Sequence, residues 1–376
     1  MPNTRKVLSA PINVDFLITS RCNLRCLHCS ASSGPTPADA LTTVEQRAVI
    51  KEVAKCQVLR ITLTGGEPLL HKDFFTLAHD VVEHPIKLQI NTNATLVTDD
   101  IVRRLRRLGR PPFINVSLDG ATAETHDRIR GPGSFERIIR GIRRLVDGGL
   151  SARPFMVVTA LNYHEIEAAA GLARKLDCGR MFLSFPCYAG RAICYAEEME
   201  MSPDQWRKAL ETATVADRQN PGALSGPCIE LARFYSALCD GKLDATNAGD
   251  GTFGNCGGGL NQIAIGVNGD VVPCQMALGY VAGNLRKEPI IDIWRNSPVF
   301  HHLRSVRGKA LREVQGCQEC PLHMRCKGPC PASGYNRYDV WPARASPCYM
   351  TALEALGPSH RQVIEHIVQE KPLCPS

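Results

Sequence analysis

The stretch VDFLITSRCNLRCLHC, residues 14–29, decides the fold, because a strand-like apolar run leads directly into three closely spaced cysteines. These are Cys22, Cys26 and Cys29 in a C-x3-C-x2-C arrangement. Three thiolates on one short loop can bind three irons of a cubane cluster, whereas ordinary ferredoxin clusters use four cysteines. The spacing therefore predicts an iron–sulfur cluster whose fourth iron has no protein ligand and is open to another molecule.

Strand-like and helix-like segments alternate from residue 11 to about residue 190. The predicted strands cover residues 14–18, 58–64, 88–92, 113–118, 154–160 and 180–185, and the predicted helices cover 44–55, 74–83, 99–108, 135–147 and 165–176. Strands that are apolar on both faces and alternate with helices indicate a parallel sheet wrapped by helices. Six units are fewer than the eight of a closed barrel, so we expect an α/β fold built on a partial (β/α)6 TIM-like barrel.

Unusual loops follow the first four predicted strands. They cover residues 22–29, 65–68, 91–93 and 117–120. Because the carboxyl ends of parallel strands carry the chemistry in such folds, we expect these loops to converge on one mouth. In the second loop, two glycines allow a ligand to approach the backbone, and Glu67 offers a carboxylate to an ammonium group.

A second set of cysteines occupies the C-terminal part of the chain. Its members are Cys256, Cys274, Cys317, Cys320, Cys326, Cys330 and Cys348. The surrounding sequence is rich in Gly, Pro and Cys, so we expect it to build little apolar core and to fold around metal. The predicted domains are a barrel over 11–190, a bridging segment over 191–255, the cysteine-rich domain over 256–350, and a C-terminal helix and tail over 351–376, with the helix at 359–369.

Composition excludes several classes of protein. The 376 residues carry a net charge of +7 and 44% hydrophobic residues, as in ordinary soluble proteins. Without a signal peptide or a membrane-length apolar run, a cytoplasmic protein with no membrane partner is expected. Aromatic residues at 6% argue against a nucleic-acid groove. Seventeen cysteines in such a protein indicate metal ligation rather than disulfides.

The cysteine loop and the Gly65-Gly66-Glu67-Pro68 loop together resemble the radical S-adenosylmethionine (SAM) superfamily. The resemblance implies that Cys22, Cys26 and Cys29 ligate a 4Fe–4S cluster and that the open iron binds SAM. It also implies that Gly66 and Glu67 hold the methionine ammonium. Enzymes of this family cleave SAM reductively to a 5′-deoxyadenosyl radical, which abstracts hydrogen from a substrate. A zinc site is the alternative interpretation of the triplet.

Further SAM contacts are implied by positions that resemble those of relatives. Asn93 is expected at the ribose, although Ala94 replaces the glycine that usually follows. Ser117 and Arg140 resemble a clamp for the SAM carboxylate, a role suited to the forked guanidinium of arginine. Thr159, with Asn162, is expected on the adenosine side. In each case the alternative is a polar residue that caps a helix at a strand end.

The seven C-terminal cysteines resemble the SPASM domain. The resemblance assigns Cys317, Cys320, Cys326 and Cys348 to one auxiliary 4Fe–4S cluster, and Cys256, Cys274 and Cys330 to another, which makes three clusters in all. The second set lacks the extra cysteine that sulfatase-maturing relatives carry within 257–261, so its fourth ligand is open or is not a cysteine. Structural zinc is the alternative. Gln275 stands where those relatives place an aspartate base, so formylglycine formation is not expected.

Three hypotheses for function follow. The leading one is a maturase, resembling those of the mycofactocin and quinone-cofactor type, that oxidises, decarboxylates or crosslinks a ribosomal peptide. Flavodoxin or ferredoxin would be the reductant, and a separate protein would bind the leader because the first strand begins by about residue 13. The second is an enzyme that dehydrogenates, decarboxylates or epimerises a sugar, aminoglycoside or tetrapyrrole, with Cys187 and Cys194 as candidate hydrogen donors. The third is a non-enzymatic electron carrier, which would have no use for Glu67 or an open iron.

Overall fold

The computed structural model describes residues 8–35, 37–240, 251–254, 256–322, 326, 328, 330–340 and 347–357. The strands are β1 Asn13–Thr19, β2 Arg60–Gly65, β3 Lys87–Thr92, β4 Phe113–Ser117, β5 Ala152–Val157, β6 Met181–Ser184, β7 Leu224–Ser225, β8 Gln262–Ile265, β9 Asp270–Val272 and β10 Gly283–Asn284. The helices are α1 Thr43–Lys55, α2 Phe74–Val82, α3 Asp99–Arg106, α4 Ala123–Arg130, α5 Ser134–Asp147, α6 Ile166–Lys175, α7 Ala196–Met199, α8 Pro203–Gln219, α9 Pro227–Cys239, α10 Ile290–Asn296, α11 Pro298–Val306, α12 Pro331–Tyr338 and α13 Tyr349–Leu356. The helix predicted over 359–369 lies outside the described residues.

One mixed sheet runs through the described part of the chain, in the order β10-β9-β8-β1-β2-β3-β4-β5-β6-β7. Strands β1 to β6 are parallel and adjacent in sequence order, with β1 paired to β2 from Asn13↔Arg60 to Leu17↔Thr64. Helices lie between these strands, as parallel connections require. The predicted partial barrel is therefore confirmed.

The strands are not apolar on both faces, as the sequence-based interpretation expected. Along β3, Leu88 and Ile90 are buried in the core, whereas Gln89 and Asn91 line a cavity on the other face. The same alternation along β5 buries Met156 and turns its neighbours toward the cavity. Since successive side chains of a strand point to opposite faces, the barrel has a packed helical side and a partly polar, open interior.

The cysteine-rich segment contributes to the main apolar core, contrary to the expectation that it builds little core of its own. Strand β8 pairs in parallel with β1, from Asn13↔Gln262 to Phe16↔Ile265. Ile263, Trp294 and Phe300 are buried in the same cluster as the barrel strands. Pairing with β8 places β1 in the interior of the sheet, so the barrel and the segment after residue 256 share their packing.

Local signals explain how several helices begin. Thr42 caps α1 by accepting from the backbone N–H of Glu45, and the carboxylate of Glu45 accepts from the backbone N–H of Thr42, which completes a capping box. Helix α4 was not anticipated and carries Arg130 at its last position. Among the described helices, none combines the length and the apolar character needed to cross a membrane.

Candidate active site

A cavity of about 520 Å³ lies on the inner face of the barrel. This volume is within the range of about 300–1,000 Å³ that is usual for small-molecule sites. Its lining includes the three cysteines of the first loop and residues at or near the carboxyl ends of β2, β3, β4 and β6: Cys22, Cys26, Cys29, Gly65, Gly66, Asn93, Ser117 and Cys187. The loops that were expected to converge on one mouth therefore share one cavity.

Hydrogen-bond donors are directed at the sulfur atoms of all three cysteines in the first loop. The backbone N–H of Leu24 lies 3.4 Å from Sγ of Cys22, and that of Ser33 lies 3.4 Å from Sγ of Cys29. Nη1 of Arg130 lies 3.6 Å from Sγ of Cys26. Hydrogen bonds to sulfur are a feature of iron–sulfur sites because they stabilise the thiolate. The donor set therefore suits three cluster ligands.

A buried ion network supports the middle cysteine. Arg130 donates to Asp119, and His28 Nε2 lies 2.7 Å from the same carboxylate, which also accepts from the backbone N–H of Val157 at 2.7 Å. Burial opposes ionisation of Asp119, but Arg130 and His28 outweigh it and hold the pKa of Asp119 well below its usual range. Sequence reasoning missed Arg130; the only available signal was an arginine at the end of an unrecognised helix.

Gly65 and Gly66 allow two backbone segments to touch. A Cβ at Gly66 would lie 2.2 Å from the carbonyl oxygen of Arg21, and one at Gly65 would lie 2.1 Å from that of Thr19. Gly65 also has a φ of 130°, a conformation that favours glycine. The glycines therefore fix the start of the cysteine loop against the end of β2.

Glu67 does not line the cavity and is fully buried. Its carboxylate accepts from the backbone N–H of Asn93 at 2.7 Å, from Oγ1 of Thr92 at 2.8 Å and from the backbone N–H of Leu69 at 3.1 Å. Burial raises the pKa of Glu67 to about 7. In this structure the carboxylate joins the loops after β2 and β3, and its contact with the methionine ammonium stays a prediction.

The other predicted SAM contacts divide into two groups. Asn93 and Ser117 line the cavity, and Asn93 Nδ2 lies 3.9 Å from Sγ of Cys22. Thr159 is buried outside the lining, where its backbone N–H donates to Asn162 at 2.7 Å. Arg140 lies on the exposed side of α5, 3.6 Å from Glu136, and is not among the residues that line the cavity. Its contact with the SAM carboxylate stays a prediction that this position does not support.

Cys256, Cys274 and Cys330 form one interacting group of thiols. Burial raises the pKa of Cys256 to about 11, with a smaller contribution from Cys330. Burial also raises the pKa of Cys274, with contributions from Cys330 and Cys256. Cys256 accepts a hydrogen bond from the backbone N–H of Gly258 at 3.3 Å. Their binding of one cluster, which the resemblance implies, stays a prediction.

The other C-terminal cysteines lie in a turn and at a helix start. Cys320 donates its backbone N–H to the carbonyl of Cys317 at 3.2 Å. Cys326 accepts from the backbone N–H of Gly328 at 3.2 Å. Cys348 is the N-cap residue of α13. Among the described residues, no three His, Cys, Asp or Glu side chains are arranged to hold a single metal ion. A cubane has its irons at separate corners, so its ligands lie further apart than those of one ion.

The two candidate hydrogen donors differ in position. Cys187 lines the cavity, whereas Cys194 is exposed and is not part of the lining. Gln275 also lines the cavity, and its neutral amide offers no base there. The position of Cys194 does not support the predicted role of hydrogen donor in this cavity, and the roles of both cysteines stay predictions.

Two family profiles match the chain. One is described as the radical SAM superfamily and matches residues 16–173, and the other as an iron–sulfur cluster-binding domain, SPASM, and matches residues 256–321. The AdoMet-dependent heme synthase of Methanosarcina barkeri is 33% identical over 338 residues, 87% of this chain and 93% of that protein. Mycofactocin maturase MftC of Mycobacterium ulcerans is 30% identical over 334 residues, 87% of this chain and 85% of that protein.

Solved structures give a second comparison. Streptococcus suis SuiB bound to precursor peptide SuiA has a TM-score of 0.71 at 20% identity, covering 91% of this chain and 76% of that one. anSMEcpe with bound AdoMet has a TM-score of 0.68 at 19% identity, covering 94% of this chain and 100% of that one. At these identities the likeness is one of fold.

Proposed function

Because the chain belongs to the radical SAM superfamily and carries an iron–sulfur SPASM domain, we propose that it matures a ribosomal peptide by oxidative decarboxylation. When bound, the first cluster and SAM supply an electron and a 5′-deoxyadenosyl radical that abstracts hydrogen from the substrate. A C–H bond breaks next to the carbon that carries the carboxylate, and the bond to the carboxylate breaks in turn. A C=C bond forms, carbon dioxide leaves, and the substrate gives up one electron, which an auxiliary cluster held by the C-terminal cysteines would accept.

The observation that carries the proposal is the positive charge of the cavity. Four arginines line it: Arg60, Arg130, Arg153 and Arg180. Among the described lining residues, Asp15 is the single carboxylate, and burial raises its pKa toward the neutral form. Arginine pairs with carboxylates through two parallel hydrogen bonds. The interior is therefore suited to a substrate group that carries a carboxylate.

Arg60 offers a donor that the described residues do not use. Its Nε is buried and has no hydrogen-bond partner within that part of the chain. A buried donor without a partner costs about 1–3 kcal/mol, so an acceptor from a ligand would remove this cost. Arg60 would thus help to hold the carboxylate.

Phe155 and Phe182 form an apolar part of the wall. Their rings stack with centroids 5.0 Å apart and planes 20° apart, and both line the cavity. Stacked rings provide a rigid surface against which a flat or apolar group can pack. In the proposed reaction they orient the carbon atoms next to the carboxylate and exclude water from them.

The peptide is proposed as the substrate on the strength of the relatives. MftC is named as a maturase, and the SuiB structure, which shares the fold, contains a precursor peptide. These relatives support a precursor peptide as a partner. A separate leader-binding protein, and flavodoxin or ferredoxin as reductant, stay predictions.

A tetrapyrrole is the second candidate substrate. The relative from Methanosarcina barkeri is named as a heme synthase, and heme carries carboxylate side chains that the same arginines could bind. The two candidates share the class of reaction and differ in the molecule that enters the cavity.

The test compares both substrates with the anaerobically reconstituted protein, SAM and a reductant. Candidate precursor peptides come from neighbouring genes, and iron coproporphyrin represents the tetrapyrroles. 5′-Deoxyadenosine and carbon dioxide formed together with one substrate would support that candidate. 5′-Deoxyadenosine without carbon dioxide, together with a crosslinked or epimerised product, would overturn the proposed decarboxylation.

Variants separate the steps of the reaction. Cys26→Ala should abolish 5′-deoxyadenosine formation. Arg153→Met should lower kcat/KM for substrate while leaving SAM cleavage in the absence of substrate unchanged. The matched control is Arg106→Met, which changes an exposed arginine of α3. Equal effects of the two arginine variants would exclude a role for Arg153 in substrate binding.

A further inference from the structure

The cluster assigned to Cys256, Cys274 and Cys330 is one cysteine short of the four that iron–sulfur clusters usually have. We propose that Cys187, which comes from the barrel, supplies the fourth thiolate of this cluster. The proposal rests on the assignment of the three cysteines to one cluster, and it does not depend on which substrate is oxidised.

Cys187 follows β6 and lies between the two segments that carry Cys274 and Cys330. Its Sγ lies 3.8 Å from the carbonyl oxygen of Met276, two residues after Cys274. On the other side, Sγ lies 3.9 Å from Oγ of Ser333, on helix α12, for which Cys330 is the N-cap residue. A residue from the barrel is thus held against both C-terminal cysteine segments.

Cys256 lies beside the segment that carries Cys274. A Cβ placed at Gly258 would lie 3.1 Å from Cβ of Pro273, the residue before Cys274, and 3.4 Å from Sγ of Cys256. The contacts of Cys187 with Met276 and Ser333 therefore bring it to the same part of the molecule as the three assigned cysteines.

A hydrogen-bond donor lies beside the sulfur of Cys187, as it does beside the sulfur atoms of other predicted ligands. Nδ2 of Asn336 lies 3.2 Å from Sγ of Cys187 and 2.8 Å from the carbonyl oxygen of Met276. Backbone N–H groups approach Cys22, Cys29, Cys256 and Cys326 in the same way. Asn336 would fix the orientation of Cys187 and stabilise its thiolate.

This placement favours ligation over the role of hydrogen donor. A hydrogen donor must have a free thiol directed at the substrate, whereas the sulfur of Cys187 contacts Met276, Ser333 and Asn336. Ligation by Cys187 would also join the barrel to the SPASM domain through the cluster. Its position in the cavity wall would bring that cluster close to the substrate, where an electron acceptor is needed.

The experiment uses the full-length chain in which Cys22, Cys26 and Cys29 are all changed to alanine, so that only auxiliary clusters contribute to the spectra. Cys187→Ala, Cys187→Ser and Cys194→Ala are made in this background and reconstituted anaerobically. Iron content, Mössbauer spectra and EPR spectra of the reduced protein are recorded before and after addition of cyanide, which binds an iron that lacks a protein ligand. Each protein is also oxidised mildly, because a cubane loses an iron that is not ligated.

With Cys187 present, we expect no cyanide-dependent change and no 3Fe–4S signal. Cys187→Ala should show a cyanide-dependent change and a 3Fe–4S signal, and it should lose about one iron per protein on oxidation. Cys187→Ser should retain ligation with altered EPR spectra, and Cys194→Ala, an exposed cysteine of the same segment, should match the parent. If Cys187→Ala does not reconstitute, the cyanide response of the parent shows whether an iron of the auxiliary clusters lacks a protein ligand.

A parent protein that already binds cyanide and forms the 3Fe–4S signal to the same extent as Cys187→Ala would overturn the proposal. Unchanged spectra in Cys187→Ala combined with an altered reaction product in the otherwise native enzyme would also overturn it, and would assign Cys187 as a hydrogen donor. Failure of the proposed decarboxylation would leave these spectra unaffected, so the two proposals can fail separately.

Discussion

Arg130 Nη1 lies 3.6 Å from Sγ of Cys26, across a separation of 104 residues in the sequence. The same guanidinium pairs with Asp119, which is fully buried at the end of β4. The first cysteine loop is therefore held by a buried cation from α4, and its position depends on residues far away in the chain.

Replacing Arg130 with methionine should lower the free energy of unfolding by about 3–5 kcal/mol, because Asp119 would lose its buried partner. The measurement is urea denaturation of the apoprotein. Arg128→Met, at an exposed position of the same helix, is the control and should change stability by less than about 0.5 kcal/mol. Equal midpoints for the two variants would contradict the importance of the Arg130–Asp119 pair.

Gly66→Ala should destabilise the protein by about 1–3 kcal/mol, the usual cost of overpacking. A Cβ there would lie 2.2 Å from the carbonyl oxygen of Arg21, so the backbone before Cys22 would have to move. We also expect a lower occupancy of the first cluster, read from iron content after reconstitution. Gly171→Ala, in α6 with nothing within 4 Å of the new Cβ, should have neither effect.

Glu67 should make stability depend on pH. Burial raises its pKa from 4.5 to about 7, so its stabilising contribution is complete below pH 4.5 and is lost as the pH rises through 7. The shift corresponds to about 3 kcal/mol. Relative to Glu67→Gln, the apoprotein should therefore lose stability between pH 4.5 and 7, measured by denaturation at several pH values. A difference that does not change with pH would contradict this, and Glu83→Gln, at an exposed position, is the control.

Phe300→Ala should lower the free energy of unfolding by about 3–5 kcal/mol, because Phe300 is fully buried in the core that the barrel shares with the C-terminal segment. In the apoprotein the loss should appear in a single transition followed by fluorescence and circular dichroism. His301→Ala, at the exposed neighbouring position, should not change the free energy of unfolding measured from that transition. Two separate transitions would show that the C-terminal segment unfolds independently.

Arg140→Ala should leave SAM binding within about 0.5 kcal/mol of the parent value, as expected for an exposed surface position. Ser117→Ala and Asn93→Ala should weaken binding, because both residues line the cavity. The dissociation constants are measured anaerobically by calorimetry with the reconstituted protein. If Arg140→Ala weakened SAM binding as much as Ser117→Ala, the result would support the predicted contact of Arg140 with the SAM carboxylate.

The sequence predicted the elements whose causes are local. Apolar runs identified the six strands β1 to β6, although their ends shifted by a few residues. Strand β8 was missed, because a four-residue strand within a Gly-rich segment has no periodic pattern long enough to recognise.

The sequence by itself determined the spacing of the cysteines that predicts the cluster ligands, because spacing within a loop is set by the chain and needs no distant partner. Only the tertiary structure decided their surroundings. It brought Arg130 to Cys26 and Cys187 to the C-terminal cysteines, and it placed Arg140 at the surface and the Glu67 carboxylate among backbone donors. These relationships join residues that are distant in sequence, and such contacts are fixed by how the strands and helices pack rather than by any local pattern.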